Sequence, residues 1–202
     1  MASDLFKINQ ISEHLFLSGI YSLNYWILGK LNIKYIVSCV DRNYVAEIHD
    51  KIILNNPDIT ILYIPYEDDI KQNLWMANKN QINIVKYISS SEDYNNLINL
   101  LKLYNNKPMI EIGYHFINMA HEFKKNVLVH CIAGVSRSAS LVVYFFMKKY
   151  HLEFEKALDL VRQKRSIINP NDSFKFQLKG YQDKREQFTQ ADAEGIITSI
   201  NI

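Results

Sequence analysis

The sequence feature that most constrains the fold is a short apolar strand joined to a long apolar helix by a tight loop. NVLVHC (126–131) is rich in β-branched and apolar residues, as is typical of a strand buried on both faces. SASLVVYFFMKKYH (138–151) is apolar and free of Gly and Pro, which predicts a buried helix. Two further runs, IKYIVSCV (33–40) and ITILYIPY (59–66), have the composition of buried strands. Because strands separated by helices favour a largely parallel sheet, the sequence predicts an α/β fold.

The elements on either side of these strands have weaker patterns that agree with this fold. EHLFLSG (13–19) has the pattern of a short strand that ends in a glycine turn. Helical spacing of apolar residues predicts helices over 22–31, with Ser22 as its cap, and over 154–165. A final helix is predicted over 169–188. Its candidate cap residues are Asn171, Asp172 and Ser173.

The length of 202 residues and the hydrophobic content of 48% predict one domain with one core. We place the domain at residues 1–188 and expect a loosely held tail over 189–202. Residues 73–108 combine Asn-rich joints with helical segments, so we expect a helical insertion there. Its apolar residues are expected to pack on the domain, and a docking or dimer surface is the alternative.

Charge and composition argue against several classes of partner. The formal net charge is +2, which gives no reason to expect a nucleic acid or an acidic membrane. No apolar run approaches the roughly 20 residues of a transmembrane helix, and MASDLFKINQ lacks the pattern of a signal peptide. With only Cys39 and Cys131, we expect a reducing compartment and a cytoplasmic protein. The bias to Asn, Ile, Lys and Tyr is typical of an AT-rich genome, such as that of a large DNA virus.

The residues that carry chemistry are concentrated in HCIAGVSRS (130–138), where the strand passes into the helix. A tight loop around Gly134, followed by a helix that begins near Arg137, directs successive backbone N–H groups into one concavity that binds anions. Cys131 lies at the base of this loop, where the same field favours the nucleophilic thiolate. The loop residues predicted to bind the substrate are Ile132, Ala133, Gly134, Val135 and Ser136.

The other residues of this segment support a phosphate site. Arg137 offers a planar fork that can bind two oxygens of a phosphate at once, which a lysine could not do. Ser138 could donate a hydrogen bond to the sulfur and make it a better leaving group, while His130 is expected to orient the loop. A lone cysteine or arginine would most often be a buried apolar residue or a surface cation. The joint pattern at fixed offsets favours catalysis on a phosphate ester.

The segment HCIAGVSRSAS resembles the signature loop of the dual-specificity protein tyrosine phosphatases. VRQKRSIINPNDSFKFQL (161–178) is similar to the segment that follows this loop in the branch acting on MAP kinases. EHLFLSGIYSL and YIPYEDD are similar to the family's first strand and general-acid loop, and the resemblance covers residues 8–72 and 109–185. It implies a five-stranded sheet flanked by helices, phosphorylated protein substrates, and hydrolysis through a phosphocysteine without metal or cofactor.

The resemblance also implies a general acid. The family uses an aspartate, and the motif I-P-x-E-D places it at Asp68, with Asp69 as the open alternative. Both residues could instead simply solvate a turn. The interval between this aspartate and the cysteine is longer than is usual in the family because of residues 73–108. If the insertion displaces the acid loop, turnover is expected to suffer.

The loop interior is apolar and lacks lysine, which favours phosphoproteins over phosphoinositides as substrates. The resemblance implies a pocket that accepts phosphotyrosine as well as phosphoserine and phosphothreonine. RNA 5′-triphosphatases of the same superfamily follow the pattern HCxHGxNR, which this loop does not match. An RNA 5′-phosphatase is still one alternative, and a phosphate-binding module without turnover is another.

Two further residues are open to two interpretations each. Arg165, in a basic cluster with Arg162 and Lys164, matches a family residue that can contact a second phosphate. A solvated helix end with cations that oppose its dipole is the alternative. Cys39 lies in a position where some branches of the family hold a cysteine that forms a disulfide with the nucleophile. A buried strand cysteine is the alternative there.

Overall fold

A mixed sheet of six strands forms the centre of the computed structural model, which describes residues 2–77, 83–85, 95, 98–99, 102 and 106–182. The strands are β1 (Asn9–Ser12), β2 (Leu15–Gly19), β3 (Ile33–Ser38), β4 (Thr60–Tyr63), β5 (Asn83–Val85) and β6 (Asn126–Cys131). Their order across the sheet is β1-β2-β6-β3-β4-β5. The four central strands run parallel, and β1 and β5 pair antiparallel at the two edges. The predicted α/β fold with a mostly parallel sheet is therefore confirmed.

Five of these strands form the sheet that the family resemblance implies, and β5 adds a sixth from within the insertion. The centre of the sheet is β6, which lies between β2 and β3. In the register, His130 is opposite both Ser18 and Ser38, so the carboxyl ends of three parallel strands meet at one edge. Ligand sites of α/β folds lie at this edge.

Helices flank the sheet. Those whose residues are described are α1 (Ala2–Leu5), α2 (Tyr25–Lys30), α3 (Ala46–Asn55), α4 (Met109–Glu122), α5 (Arg137–Lys149), α6 (Phe154–Lys164) and α7, with residues 172–182. Ten of the 13 residues of α5 are buried, because it contacts α4, α6, β2 and β6. None of the helices within the described ranges has the length and apolar character that a bilayer crossing requires.

Helix α2 is shorter than predicted, and its cap is Asn24 instead of Ser22. The Asn24 side chain accepts a hydrogen bond from Trp26 N at 2.8 Å. The Ser22 hydroxyl donates to the Gly19 carbonyl at 2.8 Å, within a short 3-10 turn. Both residue types are good caps, so the sequence pattern alone could not separate them.

The insertion leaves and rejoins the domain at one point. Ala77 and Pro108 form an antiparallel bridge, and Met109 N donates to Met76 O at 3.0 Å. Because the two ends lie side by side, the extra length does not pull the preceding loop away from the domain. Most of the insertion and all of 189–202 lie outside the described residues, so the predicted insertion helices and tail are still predictions.

Candidate active site

Cys131 is the last residue of β6 and lies at the base of the loop, with 1% of its surface exposed. Two donors reach its sulfur, the Gly134 N–H at 3.2 Å and the Ser138 hydroxyl at 3.1 Å. Such hydrogen bonds stabilise a thiolate more than a thiol, because a charged acceptor binds its donors more strongly. The structure thus places Ser138 in contact with the sulfur, as predicted from the sequence.

The backbone of the loop is held from outside through its carbonyl groups. The carbonyls and their donors are Ile132 O with Ile20 N (2.9 Å), Ala133 O with Arg165 Nη2 (3.1 Å), Gly134 O with Arg165 Nε (2.9 Å), and Val135 O with Asn169 N (2.8 Å). The carbonyl and N–H of a trans peptide point in opposite directions, so carbonyls held outward turn the N–H groups inward. The loop is therefore a preformed cradle for an anion.

The turn of this loop requires a glycine at position 134. Gly134 has a φ of +67°, in the left-handed region that side chains disfavour. A Cβ atom there would also lie 2.4 Å from the carbonyl carbon of Ser18. The loop therefore packs directly on the end of β2, and this contact fixes its height above the sheet.

Arg137 begins α5, and its side chain is 11% exposed. Its Nη1 donates to Tyr66 O at 3.2 Å, whereas its Nε is buried and has no hydrogen-bond partner among the described residues. The nearest opposite charge is Asp68, whose Oδ2 lies 3.7 Å from Nε. A buried N–H without a partner is costly. The unpaired Nε therefore marks a position that an anion oxygen would fill.

The structure brings Asp68 to the loop and leaves Asp69 outside it. Asp68 Oδ1 accepts a hydrogen bond from Ser136 Oγ at 2.7 Å, and the side chain is 38% exposed. Asp69 Oδ1 accepts from Lys71 N at 2.7 Å within an exposed turn. Asp69 thus stabilises an exposed turn, and Asp68 is the better candidate for a general acid.

Asn171 is a site residue that the sequence identified only as a helix cap. It is the cap of α7, since its Oδ1 accepts from Phe174 N at 2.9 Å. It also reaches the acid, because its Nδ2 donates to Asp68 Oδ1 at 3.0 Å and its N donates to Ser136 Oγ at 3.1 Å. Asn171 and Asp68 are 103 positions apart in the chain, so no local pattern could reveal this contact.

The loop that carries Asp68 is attached to the domain beyond the acid itself. The buried Tyr66 hydroxyl donates to Leu74 O at 3.2 Å. The Gln177 side chain accepts from Leu74 N at 2.8 Å and donates to Gln72 O at 2.9 Å. These contacts are made by Gln72 and Leu74, where the chain passes from the acid loop into the insertion. The insertion therefore does not displace the acid loop.

Arg165 was predicted to bind substrate, and this prediction is wrong because the residue is 0% exposed. Besides the two loop carbonyls, its Nη1 contacts Asp4 O (2.8 Å), Lys7 O (3.1 Å) and Asn9 Oδ1 (2.6 Å). Neither a second phosphate contact nor a solvated helix end describes this environment. Arg165 is a buried support that ties the N-terminal segment to the underside of the loop.

Two buried side chains beside Cys131 have shifted pKa values. Burial lowers the pKa of His130 to about 4, although its hydrogen bond to Cys131 O opposes the shift. Burial raises the pKa of Cys39 well above its usual value, and the charge of Cys131 adds to the effect. At neutral pH His130 is therefore an uncharged partner of the loop, and Cys39 is a protonated thiol. Within the described residues, no three His, Cys, Asp or Glu side chains converge as metal ligands.

Comparison with known proteins identifies the family that carries this site. The family profile described as "Dual specificity phosphatase, catalytic domain" matches residues 15–184. The chain belongs to the dual specificity phosphatase family. The R622 protein of Acanthamoeba polyphaga mimivirus, which carries the name of a tyrosine-protein phosphatase, is 51% identical over 195 residues, or 96% of this chain and 92% of its own. Mouse protein phosphatase Slingshot homolog 1 is 51% identical over 70 residues, which are 35% of this chain and 7% of Slingshot.

Solved structures agree with the dual specificity phosphatase assignment at the level of the fold. The human tyrosine phosphatase-like serine/threonine/tyrosine-interacting protein matches with a TM-score of 0.63 and 21% identity, over 89% of this chain and 98% of the human one. The predicted family and enzyme class are therefore confirmed, and the relatives include viral proteins, as the composition indicated.

Proposed function

We propose that this dual specificity phosphatase hydrolyses phosphate esters of protein side chains through a phosphocysteine at Cys131. The observation that carries the proposal is the convergence on one loop of a sulfur with two hydrogen-bond donors, the Arg137 guanidinium and the Asp68 carboxyl group. A nucleophile, an anion clamp and a proton donor are the groups that a two-step phosphoryl transfer requires.

In the first step the Cys131 thiolate attacks phosphorus, and an S–P bond forms as the P–O bond to the substrate side chain breaks. Arg137 and the loop N–H groups hold the non-bridging oxygens while the phosphoryl group is transferred. Asp68, in its protonated form, gives its proton to the leaving oxygen. The substrate residue therefore leaves as a neutral hydroxyl.

In the second step a water molecule attacks the phosphorus of the phosphocysteine, and the Asp68 carboxylate accepts the water proton. The S–P bond breaks, inorganic phosphate is released, and the sulfur leaves as a thiolate. The Ser138 hydroxyl and the Gly134 N–H, at 3.1 and 3.2 Å, stabilise the charge that returns to the sulfur. This step restores both Cys131 and Asp68 to their starting forms.

We propose phosphotyrosine together with phosphoserine and phosphothreonine as substrates. Family membership supports this range, and the apolar interior of the loop, without lysine, suits a phosphorylated side chain better than a polyphosphorylated headgroup. Matched peptides that differ only in the phosphorylated residue test the range through their kcat/KM values. An RNA 5′-phosphatase is not favoured, since the family and the relatives named above are protein phosphatases.

Asp68→Ala is expected to lower kcat by about 10²-fold, because the leaving oxygen then departs without a proton. The loss should be larger for phenyl phosphate than for p-nitrophenyl phosphate, since nitrophenolate needs little protonation to leave. Steady-state hydrolysis of both esters measures the effect.

The adjacent Asp69→Ala variant is the matched control and is expected to keep wild-type rates. If Asp69→Ala is the slower variant, the assignment of the acid is wrong. A wild-type chain that binds phosphopeptides without hydrolysing either ester would point to the phosphate-binding module instead.

We further propose that Cys39 is a resolving cysteine for Cys131. Ser38 pairs with His130, so Cys39 and Cys131 follow on neighbouring parallel strands. Strands lie about 4.8 Å apart, which is within the Cα separation of about 4.4–6.8 Å that a disulfide allows. Both thiols are free in the structure. Peroxide would oxidise Cys131 to a sulfenic acid, and the Cys39 sulfur would then displace its oxygen as water.

After peroxide treatment, the activity of the wild type is expected to return when dithiothreitol is added. The activity of Cys39→Ala should not return, because Cys131 is then oxidised irreversibly to the sulfinic acid. Mass spectrometry should detect a linked Cys39–Cys131 peptide in the wild type. Detection of sulfinic acid at Cys131 without any linked peptide would rule out the resolving role.

A further inference from the structure

A buried chain of hydrogen bonds leads from the loop into the body of the domain. His49, on α3, is 0% exposed and lies between two neighbours from the sheet. Its Nδ1 is 2.8 Å from the Tyr63 hydroxyl, and its Nε2 is 3.0 Å from Nε2 of His130. The other ring nitrogen of His130, Nδ1, is 3.3 Å from Cys131 O. His49 is thus connected to the carbonyl oxygen of Cys131 through one side chain, that of His130.

The two ends of this chain set the direction of every hydrogen bond in it. Cys131 O can only accept, so His130 must carry its proton on Nδ1 and expose a lone pair on Nε2. His49 must then donate from Nε2 and accept at Nδ1 from the Tyr63 hydroxyl. At the far end Arg42 lies near Tyr63, and a guanidinium can only donate, so it does not compete with His49 for the Tyr63 proton.

Both rings must be neutral for this arrangement, and their burial makes them so. Burial lowers the pKa of His49 to about 2, and the neighbouring His130 and Arg42 add to the shift. Burial lowers the pKa of His130 to about 4. At neutral pH each ring therefore has one N–H and one lone pair, as the chain requires.

We propose that His49 is a positioning residue that fixes the tautomer of His130 and, through it, the orientation of the Cys131–Ile132 peptide. Cys131 O held toward His130 turns the Ile132 N–H the opposite way, into the anion cradle. Without the donor on His49, His130 could move its proton to Nε2, and Cys131 O would then lose its donor. The proposal rests on the proposed phosphatase function for its effect on rate, but the tautomer itself can be measured without turnover.

The first test is the tautomer of His130 in the full chain, read from ¹⁵N chemical shifts of the histidine rings at neutral pH. The ring is identified by correlation with its backbone resonances. In the wild type, Nδ1 is expected to carry the proton. A wild-type His130 with its proton on Nε2 would overturn the proposal, whatever the activity of the protein.

The second test is kinetic. Loss of one oriented donor to a developing oxyanion lowers rates by about 10²–10³-fold, so a disordered donor in His49→Phe is expected to lower kcat by about 10-fold with little change in KM. His49→Gln keeps an amide N–H that can reach Nε2 of His130 and is expected to stay within about threefold of wild type. Ile53→Ala, on the buried face of the same helix, controls for lost stability and should keep wild-type kcat.

A folded His49→Phe with wild-type kcat would overturn the proposal, and so would a His49→Gln that is as slow as His49→Phe. If His49→Phe does not fold, the wild-type tautomer and the His49→Gln rate still decide the question. A wild-type chain without turnover would refute the proposed function, while the ¹⁵N shifts would still decide the role of His49.

Discussion

Cys131→Ser is expected to lower kcat for aryl phosphates and phosphopeptides by at least about 10⁴-fold. The hydroxyl of serine stays protonated at neutral pH, and the two donors that reach the sulfur cannot convert it into an alkoxide. Binding should persist, because Arg137 and the loop N–H groups do not depend on the sulfur. Hydrolysis assays combined with fluorescence anisotropy of a labelled phosphotyrosine peptide separate the two effects.

The structure offers Cys39→Ala as the matched control for this variant. Cys39 is equally buried just after the neighbouring strand β3, and its backbone N–H, which the substitution keeps, donates to His130 O at 2.8 Å. Its replacement is expected to leave kcat unchanged in reducing buffer. Residual activity in Cys131→Ser comparable to that of Cys39→Ala would exclude Cys131 as the nucleophile.

Arg165→Met is expected to lower both the free energy of unfolding and the activity. The variant leaves the carbonyls of Ala133 and Gly134 without their buried donor and releases the N-terminal segment. Leaving one buried acceptor without its hydrogen bond typically costs about 1–3 kcal/mol, and here several acceptors lose their donor together. Urea denaturation measures the stability, and kcat should fall because the N–H groups of the loop lose their orientation.

Two other variants serve as comparisons for the stability of Arg165→Met. Arg165→Lys should be nearly as damaging, since one ammonium group cannot span five acceptors. Arg162→Met removes an exposed cation paired with Asp159 at 3.4 Å and should change stability by less than about 0.5 kcal/mol. A stable Arg165→Met with a raised KM only for doubly phosphorylated peptides would restore the substrate-binding role.

The parts of the site that could be predicted from the sequence are those whose geometry is local. Cys131, Arg137 and Ser138 lie within nine consecutive residues, and a strand, a tight turn and a helix are enough to place them around one anion. The buried strands could also be predicted from the sequence, because both faces of each strand are apolar. Asp68 required the family resemblance, and its distinction from Asp69 required the structure, since the two are identical neighbours.

The supports of the site could not be predicted because their partners are remote in the chain. Arg165 contacts residues 31 and 161 positions away, and His49 meets His130 across 81 positions. From the sequence, Arg165 belongs to a basic cluster at a helix end, where most cations face solvent. The folded chain brings the carbonyls of Gly134 and Asp4 to its guanidinium, and the side chain therefore points inward.

Because Ala77 and Pro108 form a bridge, the length of the insertion between them says little about whether the active site is correctly assembled. The spacing between Asp68 and Arg137 depends on where the two ends of the insertion meet, not on how many residues lie between them. Closing a longer loop adds only about 0.6 kcal/mol for each doubling of its length. New sequence can therefore be inserted at this bridge, in evolution or by design, without moving the catalytic residues.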